Sequence, residues 1–278
     1  MAYWPLADLP KAGQPTLLFV DGFESNSDSA HFVYAHKERL PDILHISAFS
    51  YGGVGQSYSK AQSRDLIDGI DQFPSFLPWE RHRLVVPVAA SGGAIVTLLG
   101  VAAWIRQMEV APVVVRALVP RLILISPPFG LDRDVFAKAF GVDIVGTDKA
   151  DTYPAFVTEL VALGMGGYRE WLFDVVSARG VLRWAGIQIR VLEWPGDSVT
   201  TTNWPEGVEE AMQPVERKPL PLNGAAIVRR DQIVAGDDKQ AGDAARRAFL
   251  NHLRFIRCEA VTASVEEAVR DVWPQQMV

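Results

Sequence analysis

The chain has 278 residues, 49% of them apolar, enough to bury a large core within one α/β domain of the usual upper size. Its net charge of −6 and the lack of any basic block exclude the clustered Lys and Arg that nucleic-acid phosphates require, so no nucleic-acid partner is expected. The single cysteine, Cys258, excludes an internal disulfide framework and suits a reducing compartment, so a cytoplasmic location is expected.

The first residues, Met1-Ala2-Tyr3-Trp4-Pro5, have neither a basic region nor an apolar core and do not read as a signal peptide. Thr16 to Val20 reads as a strand that stops at Asp21-Gly22-Phe23, and Ile43 to Phe49 as a second, ending in Ser50-Tyr51-Gly52-Gly53. Ser59 to Phe73 keeps helical spacing through Ala61, Leu66, Ile67 and Ile70. Leu84 to Ile105 carries no charge and is long enough to span a bilayer. Its β-branched first half, its Pro87 and its Ser91-Gly92-Gly93 triplet instead predict a buried strand at Leu84–Ala89 and a helix at Ala94–Gln107, so no membrane partner is expected.

Leu122 to Ser126 is a fourth strand, stopped by Pro127-Pro128, and Ile187 to Glu193 a fifth, stopped by Pro195-Gly196. Continuous apolar runs alternating with helices predict a doubly wound, mostly parallel α/β sheet, with residues 1–278 as one domain. Leu131 to Trp184 interrupts the alternation with helical segments at Asp132–Phe140, Pro154–Leu163 and Tyr168–Ala178, the last stopped by Gly180. Residues 131–184 are expected to form a helical lid over the sheet, with Phe136, Phe156, Leu160 and Trp171 lining an apolar pocket. An elaborated crossover is the alternative. A helix at Ala244–Arg257 should cover the sheet, and Ser264-x-x-Glu267 resembles a capping box that opens a short last helix.

The stretch Ala89-Ala90-Ser91-Gly92-Gly93 carries the chemistry. A serine on a sharp strand-to-helix turn is pushed above the sheet, and the residues two before and two after it must be small, because strand and helix pass close there. Ala89 and Gly93 meet that need. The competing reading is a serine that merely caps the helix.

Four segments in order resemble the α/β-hydrolase superfamily: Leu17 to Phe23, Phe49 to Ser57, Ala89 to Ala94, and Ile187 to Val199 with its Pro195-Gly196-Asp197-Ser198-Val199. The resemblance implies Ser91 as nucleophile, Asp197 as the acid that orients a base, and the Phe23 and Gly92 amides as oxyanion donors. The family pattern breaks twice. Asp21 stands where a histidine is usual in the first motif. More seriously, Pro219 to Val228 offers Ala225 or Ala226 where the catalytic histidine belongs.

Five histidines remain as substitutes. His45 reads as a core residue, while His82 and His36 lie in charged surroundings. An amphipathic reading puts His252 on the polar, solvated side of the last long helix. His31, after the Gly22-Phe23 turn, is left as the best candidate to border the pocket. No G-x-G-x-x-G, P-loop or H-E-x-x-H motif occurs, so no cofactor and no metal are expected. The expected partner is an apolar small molecule. With the base missing, non-hydrolytic chemistry or plain binding is the first expectation. A serine ester or thioester hydrolase with a relocated base is the second.

Overall fold

The computed structural model describes residues 15–22, 26–40, 44–49, 70–77, 84–108, 110–130, 135, 167–204, 206–212, 214–235 and 238–273. Six strands form one sheet: β1 (Thr16–Val20), β2 (His45–Phe49), β3 (Val85–Ala90), β4 (Arg121–Ile125), β5 (Gln188–Glu193) and β6 (Glu216–Pro219). Their order is β2-β1-β3-β4-β5-β6, and every neighbouring pair is parallel. The chain therefore winds outward in both directions from β1 and β3, and the strands share one carboxyl edge.

Eight α-helices accompany the sheet among the described residues: α1 (Asn26–Lys37), α2 (Gly93–Met108), α3 (Pro112–Leu118), α4 (Gly167–Ala185), α5 (Glu206–Met212), α6 (Arg230–Val234), α7 (Asp238–Ile256) and α8 (Glu259–Val272). Alternate strand residues face opposite ways, so β1, β3, β4 and β5 each feed two cores. Leu18, Val20, Val85, Ala89, Leu122, Leu124, Ile189 and Val191 pack with α2, α3, α4 and α5. Leu17, Phe19, Val86, Val88, Ala90, Ile123 and Ile125 pack with α1 and α8. The uncharged run from Leu84 to Ile105 is thus β3 and α2 buried between layers. No helix among the described residues is long and apolar enough to cross a membrane.

As expected, Pro87 lies within β3, opposite Leu18 of β1. The strand pairs with β4 only from Val88 onward, so the missing proline N–H falls before that ladder begins. Several expectations need correction. Gly180 does not end a helix: α4 runs on to Ala185, and Gly186, at φ +74°, provides the left-handed stop. The last part of the segment expected as a lid is α4, which packs against α2, α3 and α5 and buries Ala178, Leu182 and Ala185. From Val176 onward that part is the crossover from β4 to β5, packed on the core of one face of the sheet. Val135 is helical and buried, while Phe136, Phe156 and Leu160 lie outside the described residues, as does the side chain of Trp171.

The Ser264 capping box is also misplaced. The helix starts six residues earlier, after Cys258, and Ser264 is a buried residue within it. β6 is missed from the sequence because Glu216-Arg217-Lys218-Pro219 has no apolar run. Its arginine is held instead by Glu193 of β5 and Glu209 of α5, at 2.9 and 2.8 Å.

Candidate active site

Ser91 stands on the turn between β3 and α2 with φ +47°, a conformation that a non-glycine residue adopts only under constraint. Two features impose it. The Ser91 N–H donates to the Ile125 carbonyl at the end of β4, at 2.8 Å. The loop leaving β1 crosses directly against the turn. A Cβ on Gly22 would lie 3.0 Å from the Ser91 Cβ, and one on Gly93 would run into the Val20 and Asp21 carbonyls. Only glycine fits at position 93, and any larger residue at position 22 would press on the turn. The small-residue rule read from the sequence therefore has a visible cause, although the neighbour that demands it is the β1 loop. Gly92 leads into α2, where the Ala94 and Ile95 N–H groups donate back to the Ser91 and Gly92 carbonyls at 3.0 and 3.1 Å. Phe23 lies outside the described residues.

Asp197 follows β5 on a turn in which its own N–H donates to the Trp194 carbonyl at 2.9 Å. Its carboxylate is buried and accepts five hydrogen bonds. Oδ1 takes the backbone N–H groups of Val199 and Thr200, at 2.9 and 3.2 Å. Oδ2 takes the Thr200 and Ser126 hydroxyls, at 2.9 and 3.2 Å. It also takes Nδ1 of His252 at 2.7 Å. Burial alone would raise the Asp197 pKa, but the His252 charge and hydrogen bond and the two amides outweigh it and hold the group below its ordinary value.

The histidine beside Asp197 is therefore His252, and the solvated reading of that residue is corrected. His252 is 2% exposed. The reason lies in the path of α7. Its residues Ala244, Ala245 and Ala248 belong to the core on one face of the sheet, and Phe255 and Ile256 to the core on the other. The helix crosses from one face to the other, and His252 sits at the crossing. A signal was available in the sequence. Ala241, Ala245, Ala248, His252 and Phe255 follow one another at steps of three or four, and all are buried. Phe249, Leu250 and Leu253 suggest a different stripe, yet Leu250 is exposed.

The loop that lacks the family's histidine runs beside this crossing. Asn251, next to His252, donates to the Ala226 carbonyl at 3.0 Å, and Ser198, next to Asp197, donates to the Val228 carbonyl at 2.6 Å. An imidazole from α7 thus reaches the acid past a loop that has none. His31 is elsewhere: it is exposed on α1, with Nε2 donating to the Arg257 carbonyl at 3.1 Å.

No protein-family model and no curated protein matches the chain. Among solved structures it is similar to a lipase-esterase related protein from Clostridium acetobutylicum, at 17% identity over 84% of this chain and 94% of that one, with a TM-score of 0.49. It is also similar to the thioesterase domain from the curacin biosynthetic pathway, at 14% identity over 87% and 92%, with a TM-score of 0.45. A third is α/β-hydrolase domain-containing protein 10 from mouse, at 14% identity over 94% and 92%, with a TM-score of 0.43. The assignment rests on the parallel sheet, the strained serine between strand and helix, and the chain order Ser, Asp, His. The chain has the α/β-hydrolase fold.

Proposed function

We propose that the chain is a serine hydrolase of small-molecule esters or thioesters, with Ser91 as nucleophile and His252, oriented by Asp197, as general base. One observation carries this reading: the buried hydrogen bond of 2.7 Å between His252 Nδ1 and Asp197 Oδ2. A carboxylate can only accept, so Nδ1 carries the proton, and in the neutral ring Nε2 is then the acceptor. That is the tautomer a serine hydroxyl needs in a partner. The case for non-hydrolytic chemistry rested on a missing base, and His252 takes that reason away.

In the first half-reaction the Ser91 Oγ attacks the substrate carbonyl and its proton passes to His252 Nε2. The negative carbonyl oxygen is received by backbone amides, those of Gly92 and Phe23. The tetrahedral intermediate then expels the alkoxide or thiolate, which takes the proton from His252, and leaves an acyl ester on Ser91. In the second half-reaction a water gives its proton to His252 and attacks the ester. Collapse returns the proton to Ser91 and releases the acid. Phe136, Phe156, Leu160 and Trp171, all between β4 and β5, are proposed to receive an apolar acyl chain.

The test is covalent labelling by a fluorophosphonate. The wild type is expected to label at one site, which Ser91→Ala abolishes. His252→Ala is expected to slow labelling by ~10²-fold or more, the scale of a positioned base. Labelling of His252→Ala at the wild-type rate, or no labelling of the wild type, would overturn the proposal.

A further inference from the structure

Ser91 and Ser126 are the two non-glycine residues at positive φ among the described residues, and they end neighbouring strands. Ser126 has φ +44° although it precedes Pro127, and a residue before proline is pushed toward extended backbone. The position is thus disfavoured twice, and strain of this kind persists only where the surroundings impose it. Ser126 is 3% exposed, its N–H donates to the Leu192 carbonyl of β5 at 2.8 Å, and its hydroxyl donates to Asp197 Oδ2 at 3.2 Å.

The other donors to the Asp197 carboxylate, His252 apart, are Val199 and Thr200 on the aspartate's own loop, which move when it moves. Ser126 comes from a different strand. The residue before it, Ile125, accepts the Ser91 N–H at 2.8 Å. The peptide between Ile125 and Ser126 thus ties the Ser91 turn to Leu192 of β5, and the Ser126 hydroxyl reaches from it to the carboxylate.

We infer that Ser126 is a positioning residue that fixes the Asp197 carboxylate relative to Ser91, and through it the direction of the His252 ring. This deepens the hydrolase reading and rests on it for any effect on turnover. An ordinary buried serine would only satisfy the carboxylate, and its loss would act through stability alone. Glycine separates the two roles, because it removes the hydroxyl while relieving the positive φ.

The experiment compares wild type, Ser126→Ala and Ser126→Gly. It reads kcat and KM on p-nitrophenyl butyrate, the thermal midpoint, and the proton resonance of His252 Nδ1–H, assigned by its loss in His252→Gln. Ser126→Gly is expected to melt no lower than Ser126→Ala, yet both should lose kcat by about tenfold to a hundredfold, since an ångström of misplacement can cost that much. KM should stay within about twofold, and the Nδ1–H resonance should move in both variants. Wild-type kcat and an unmoved resonance in Ser126→Gly would overturn the inference, as would a kcat loss confined to Ser126→Ala. If the wild type turns over no ester, the hydrolase reading fails separately. A displaced resonance in Ser126→Gly still supports the positioning role, and an unmoved one ends it.

Discussion

Two histidines are buried beside carboxylates in this molecule, and they are in opposite chemical situations. His252, where α7 crosses the sheet edge, shares a hydrogen bond of 2.7 Å with Asp197. His36, on α1, has Nδ1 3.7 Å from Glu266 of α8, and neither facing atom has a hydrogen-bond partner among the described residues. Burial pushes the His36 pKa down to about 4, helped by the charges of Arg39 and His31, with Glu259 opposing. The ring packs on Phe32 with centroids 4.3 Å apart and serves as a neutral aromatic. Asp197 has four donors besides His252, so its charge is settled and its lone pairs are directed. Nearness to a carboxylate does not direct a histidine ring. A hydrogen bond to a carboxylate that other groups already hold does, and the proposed base role of His252 rests on that difference.

The sharpest way to break this contrast is to remove each ring in turn. His252→Ala is expected to lower ester turnover by ~10²–10⁴-fold, the range for positioned acid–base catalysis. His36→Phe keeps an aromatic on Phe32 and should leave turnover within about twofold. Steady-state rates on p-nitrophenyl butyrate decide it. Equal losses in the two variants would mean that His252 matters only for folding.

A somewhat smaller loss is expected from Asp197→Asn. The amide can donate as well as accept, so it no longer fixes the proton on Nδ1 of His252. Removing the acid of a triad costs less than removing the base, because the base can still act when wrongly held. Turnover should therefore lie between those of wild type and His252→Ala. Full activity in Asp197→Asn would leave the buried pair without a catalytic role.

The His36 pair is sharpened by pH. Its folded pKa of about 4 lies below the ordinary 6.5, so the unfolded chain binds more protons between those values. Stability from this group is intact above pH 6.5, falls as the pH drops through that window, and is lost by about pH 4. The shift corresponds to roughly 3 kcal/mol. Urea unfolding at pH 7 and pH 4.5 should show the wild type losing markedly more stability than His36→Phe. Asp197 acts lower on the scale: its pKa is depressed, so its contribution disappears only as the pH falls through that lowered value. Identical losses in the two proteins would show that His36 does not drive the acid limb.

The strands around Ser91 are legible in the sequence because both faces of each are buried, which leaves an unbroken apolar run such as Leu122 to Ile125. The turn at Ser91 is legible because its steric demands fall on adjacent positions, Ala89 and Gly93. Asp197 comes from resemblance, and the structure adds the donors around it. The partner histidine is harder to read. It lies on a stripe with Ala241, Ala245, Ala248 and Phe255, but three alanines make that stripe weakly apolar beside the stripe that Phe249, Leu250 and Leu253 suggest, and it runs from one core into the other. β6 is hidden for a related reason: its neighbours are charges and salt bridges, as where Arg190 of β5 meets Glu216 at 2.8 Å.

The smallest expected effect concerns His31, the base candidate that the sequence favours. The ring is exposed and its Nε2 is engaged by the Arg257 carbonyl, which joins α1 to the end of α7. A hydrogen bond of this kind contributes about 0.5–1.5 kcal/mol, and less at an exposed site. His31→Ala should therefore shift the thermal midpoint by a few degrees at most and leave ester turnover within about twofold. The comparison that matters is with His252→Ala in the same assay, because both variants remove one imidazole that bonds another part of the chain. If His31→Ala instead falls with Ser91→Ala by a common factor of roughly a hundred, the base works from α1. The Asp197–His252 pair would then be a structural clasp across the sheet edge.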